Sequence, residues 1–133
     1  MTKWTLRCVV LCAWLLAGAS LHAHHSLAGA YALGKEAKVT GAFTAFRLVN
    51  PHSSLKLEAK NPEGKIVEWS ITGGSVTSLA RLGIGKTGPN ALHVGDEITV
   101  TYVPAADGKS PIGLLVAITY TDGHTVRFRS PDE

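Results

Sequence analysis

An alternating stretch, a tight turn and a second alternating stretch limit the fold of this chain more than anything else in its sequence. Leu55, Leu57 and Ala59 interleave with Lys56, Glu58 and Lys60, so an extended backbone puts apolar groups on one face and charges on the other. Asn61-Pro62-Glu63-Gly64 follows, with proline pre-setting the backbone angle and glycine closing the turn. Val67, Trp69 and Ile71 then resume the alternation. A hairpin with one buried face must find a partner surface, and the rest of the chain supplies more strands.

Val39 to Leu48 reads as the strand before this hairpin, but its phase changes midway. Val39, Gly41 and Phe43 share one face, whereas Phe46 and Leu48 fall on the other, which calls for a bulge or coil between Gly41 and Ala45. Gly73-Gly74 breaks the third strand, and Ser75 N-caps a short helix carrying Val76, Leu79 and Leu82, stopped by Gly83. Glu97 to Val103 and Ile112 to Tyr120 form two further strands joined through Pro104 to Gly108, and Asp122-Gly123 turns into a last short one with Val126 and Phe128. Three strands, one short helix and two or three strands define an all-β class, a small OB-fold-like Greek-key barrel.

The first 23 residues have a different logic. Lys3 and Arg7 precede an apolar stretch from Cys8 to Ala19, with small residues ahead of a cut, as a secretory signal requires. That stretch is well short of the roughly 20 residues that a membrane span needs, and no later segment is long and apolar enough for one. Cleavage after Ala23 is favoured, with Ala19 as the alternative. The expected organisation is a signal peptide over 1–23, an N-terminal arm over 24–37 and one barrel domain over 38–130, exported to the periplasm without a transmembrane anchor. Both cysteines, Cys8 and Cys12, belong to the signal, so the mature chain has no thiol chemistry. Removing Lys3 and Arg7 from the 13 basic residues leaves 11 against 10 acidic ones. A near-neutral exported domain is not expected to bind nucleic acid.

Gly83-Ile84-Gly85-Lys86-Thr87-Gly88 matches the spacing of a dinucleotide fingerprint and includes the Gly-Lys-Thr of a phosphate loop. It follows a helix rather than a strand and runs into Pro89, and Ala80 stands where a phosphate loop needs its first glycine. A flexible loop that ends the helix is the expected reading. No paired carboxylates and no nucleophile elbow occur, so no enzyme is expected.

The histidines carry the remaining chemistry. Cleavage after Ala23 makes His24 the first residue, whose α-amine and ring can chelate copper or another transition metal beside His25. The other cut begins Ser20-Leu21-His22, also able to wrap copper. His52, in the Asn50-Pro51-His52 turn, borders the ligand face of an OB-like barrel and could complete a site with the arm. The plainer reading leaves the N-terminal pair solvated and has His52 capping its turn. His93 and His124 read as surface turn residues.

Ala23-His24-His25-Ser26, Val39-Thr40-Gly41, Asn50-Pro51-His52, the Trp69 strand, Leu92 through Asp96 before Ile98-Thr99-Val100, Pro104 with Asp107-Gly108, and Asp122-Gly123 follow one another in an order that resembles DUF6152. That is a family of small exported bacterial proteins of unknown function. The resemblance implies export and directs attention to the His-His-Ser and Asn-Pro-His elements. Two functional expectations result. The first is a periplasmic binding protein coordinating copper through His24, His25 and His52. The alternative is a metal-free barrel module that binds a peptide, glycan or envelope protein around Phe46, Asn50 and Trp69.

Overall fold

The computed structural model describes residues 29–129. Strand β1, Ala37–Arg47, pairs antiparallel with β2, Ser54–Lys60, and β2 with β3, Ile66–Thr72, so the hairpin read from the alternation forms as expected. The turn closes through Gly64 N donating to Asn61 O at 2.9 Å. The β1–β2 register shifts between Phe43 and Ala45, which places the expected bulge at Thr44. Phe43 N donates to Asp96 O and Gly95 N to Phe43 O, both at 2.8 Å, so the bulged strand is pinned by a distant turn.

Helix α1, Val76–Arg81, begins at Ser75, whose hydroxyl accepts from Ser78 N. The segment after it departs from expectation. Gly83 takes a positive φ of 70°, and Ile84 turns inward to join the core at 2% exposure. Ile84–Gly85 and Asn90–Ala91 then form a two-residue parallel ladder, β4 and β5, so this is an ordered plug rather than a flexible loop. A single isoleucine amid glycines shows no period, but its burial is enough to order the loop around it.

Strands β6, Glu97–Pro104, and β7, Ile112–Thr119, complete the barrel, and β8, Thr125–Arg127, adds to its edge. One edge of β7 pairs antiparallel with β6. The other is shared: Ile112 to Leu114 run parallel to Ser70 to Thr72 of β3, and Ala117 to Thr119 pair with β8. Because β6 also pairs with β1, the five strands β1-β2-β3-β7-β6 close on themselves. This is the OB-like order expected from the sequence, with the helix between the third and fourth barrel strands.

The interior is filled by Phe43, Leu55, Leu57, Ile71, Val100 and Leu115, all at most 2% exposed. α1 leaves from the end of β3, so Leu79, with Ile84 and Leu92, closes that end of the barrel. Outside the barrel, Val103, Leu114, Val116 and Ala117 form a second cluster against which Tyr31 packs. Tyr31 bridges to Ala105, and Ala32 N donates to Pro104 O. Strand β7 is therefore buried on both faces, which explains its unbroken apolar run from Leu114 to Ile118.

Candidate functional site

The end of the barrel opposite α1 is open. Here β1 and β3 begin and β2 ends, and the β6–β7 loop crosses above them. A groove of about 490 Å³ lies between these segments, within the range of small-ligand sites. Its apolar lining comes from Val39, Val67, Trp69, Pro62 and Pro111. Trp69 is only partly buried and packs on Tyr102, with ring centroids 5.2 Å apart and planes tilted by 59°. Tyr102 is itself buried, so the indole rests on a fixed support and keeps an accessible surface toward the groove.

The strand alternation explains this arrangement. Trp69 is opposite Leu57 and Val39 is opposite Val100, so both point to the barrel interior. Both pack against the edge of the core and stay only partly buried, so each leaves some surface to the groove. The polar lining is cationic: Lys38 from β1, Lys60 from the end of β2 and Lys109 from the β6–β7 loop are exposed and line the groove, with Thr40 and Asn61. Among the described lining residues there is no carboxylate. The loop is held by Asp107, whose carboxylate accepts from the Ser110 hydroxyl and from the amides of Ser110 and Lys109. Those bonds, the Ser110 hydroxyl first, hold the Asp107 carboxyl down at about 2.

The expected site residues are dispersed. His24 and His25 lie outside the described residues. His52 is exposed beside a cis Asn50–Pro51 bond at the α1 end, where its neighbour Ser53 donates to Gly74 O. Among the described residues no three His, Cys, Asp or Glu side chains gather into a group able to hold a metal ion. Phe46, Asn50 and Trp69 do not share one binding face. Phe46 packs on Phe43 at 4.7 Å, Asn50 Oδ1 accepts from Val76 N at the start of α1, and Trp69 alone lines the groove. They differ because the bulge re-aims Phe46 and the helix takes Asn50 as a backbone cap. His93 sits in its turn, its amide donating to Asp96 Oδ2.

His124 does more than occupy a turn. Its ring stacks on Tyr120, with centroids 4.3 Å apart, and its two nitrogens face Asp122 Oδ1 and Asn90 Oδ1. Asn90 also donates to Leu82 O and accepts from the Tyr120 hydroxyl through its carbonyl. It thereby ties β5, the end of α1 and the β7–β8 turn together. Nothing in the sequence marked Asn90, whose partners are 8, 30 and 34 residues away. The groove lysines were missed for a similar reason, since each looks like an ordinary solvent-facing charge in its own strand or loop.

The closed five-stranded sheet, the short helix α1 after its third strand and the open end define a small OB-like β-barrel. The chain belongs to the family of unknown function DUF6152, whose profile matches residues 13–114. No curated protein and no solved structure matches the chain significantly. Among the described residues no helix is long and apolar enough to cross a membrane.

Proposed function

We propose that this chain is an exported, non-enzymatic binding domain that takes its ligand at the open end of the barrel without a metal. The observation that carries this reading is Trp69, a large aromatic side chain left partly accessible in a groove whose walls come from β1, the β2–β3 hairpin and the β6–β7 loop. Accessible aromatic surface on a rigid frame suits ligand capture, because little conformational entropy is lost on binding. The volume suits a small molecule or the end of a peptide or glycan chain.

The test is an amide-shift titration of the full chain with the uncharged probe N-phenyl-1-naphthylamine. Saturable shifts confined to residues 38–40, 60–62, 67–69 and 108–111, and lost in Trp69→Ala, are expected. Shifts centred elsewhere, or no saturation, would overturn the reading.

A second reading is supported by the adjacency of His24 and His25 behind a small-residue cleavage sequence. It makes the N-terminal pair a copper chelate, with the exposed His52 available to it. Copper(II) added to protein processed after Ala23 should then raise its melting temperature, since a ligand held only by the folded state stabilises that state. An unchanged melting temperature sinks this reading and leaves the first intact.

A further inference from the structure

We infer that the groove at the open end of the barrel selects amphiphilic anions, small molecules that join a planar or acyl apolar body to a carboxylate, sulfonate or phosphate group. This rests on the binding reading above and narrows its ligand class. The argument is one of charge placement. The chain without its first 23 residues is almost neutral, yet Lys38, Lys60 and Lys109 line one groove, and no carboxylate among the described residues lines it with them.

The nearest acid in the β6–β7 loop, Asp107, is committed to Lys109 N, Ser110 N and Ser110 Oγ and is not part of the lining. Lys56, which pairs with Glu68 at 2.7 Å, is not part of it either. Three exposed lysines on separate segments that line one groove give it a positive potential that favours an anion there. The apolar lining of Val39, Val67 and Trp69 offers nothing to a compact hydrated ion but much to a ring or chain. The two halves of the groove together describe an amphiphile with one negative end.

The experiment compares two probes that share a ring system, 8-anilinonaphthalene-1-sulfonate and the uncharged N-phenyl-1-naphthylamine, each titrated into the full chain with amide shifts as the readout. The sulfonate should bind on the order of tenfold more tightly at low salt, as expected when several exposed charge pairs each contribute modestly, and added salt should erase the difference. Substituting Lys38→Gln, Lys60→Gln and Lys109→Gln together should abolish the preference, so that the two probes bind with equal affinity. Lys86→Gln, outside the groove, should leave the preference intact.

Equal affinity for the two probes, or a preference that survives the triple substitution, overturns the inference. If the neutral probe binds in the groove and the sulfonate gains nothing, only the charge assignment fails. If neither probe moves the groove amides, the binding reading itself fails.

Discussion

Tyr120 concentrates several effects in one side chain. Its hydroxyl donates to Asn90 O at 2.8 Å, its ring stacks on His124, and burial first, then the charge of Asp96, pushes its phenol up to about 12. A raised folded value means that this contribution to stability is complete below the ordinary value of 10 and is lost as pH rises through about 12. Loss of the hydrogen bond to Asn90 O in Tyr120→Phe should cost about 1 kcal/mol at neutral pH, read from chemical denaturation, and the variant should lose Tyr120's share of the ultraviolet phenolate transition, near 12. Asp107 behaves in the opposite sense. Its depressed carboxyl favours the folded loop above the ordinary 3.8, and that preference is lost as pH falls through about 2. The amides of Lys109 and Ser110 should shift with a midpoint near 2, and Asp107→Asn should abolish that transition.

At the scale of elements, β1 is the strand most shaped by its neighbours. A Cβ at Gly41 would lie 2.2 Å from Glu58 O, a backbone atom that cannot move without breaking the β1–β2 ladder. Gly41→Ala should cost about 2 kcal/mol or more by overpacking, seen as a lower denaturation midpoint. Three residues on, at the bulge, the Thr44 hydroxyl is buried without a hydrogen-bond partner. Thr44→Val keeps the shape and removes that unsatisfied group, so it should leave stability equal or raise it by about 1 kcal/mol. Helix α1 depends on its cap, and Ser75→Ala should cost about 1 kcal/mol. Since α1 carries Leu79 into the barrel end, that loss should appear in the global unfolding transition and not as local fraying.

For the molecule as a whole, closure of the barrel makes β7 its central strand. It pairs with β6, β3 and β8 and is buried on both faces, with Tyr31 covering the outer cluster. Hydrogen exchange should be slowest in β7, at a rate reporting global unfolding, and much faster in the three-residue β8. Faster exchange in β7 than in the β2–β3 hairpin would contradict this account. The arrangement also separates the charged part of the groove from the core. Leu79, Ile84 and Leu92 plug one end, whereas the exposed Lys38, Lys60 and Lys109 are at the other, so substitutions of these lysines should change binding with little effect on folding.

Local physics made the strands, the hairpin turn, the bulge and the capped helix legible in the sequence. Alternation, proline and glycine angles and a serine cap act over a few residues, and the order of these elements was enough to point to an OB-like barrel. The family was legible too, through short motifs in a fixed order. The tertiary structure alone decided that Ile84 is a core plug, that Asn90 ties three elements together, and that Asn50 is a helix cap. It also decided that Lys38, Lys60 and Lys109 share one groove with Trp69. Each of these depends on which segments the closed sheet brings together. A period along one strand shows which face a side chain takes, but not what stands across from it, because that is set by the parallel β3–β7 pairing that shuts the barrel.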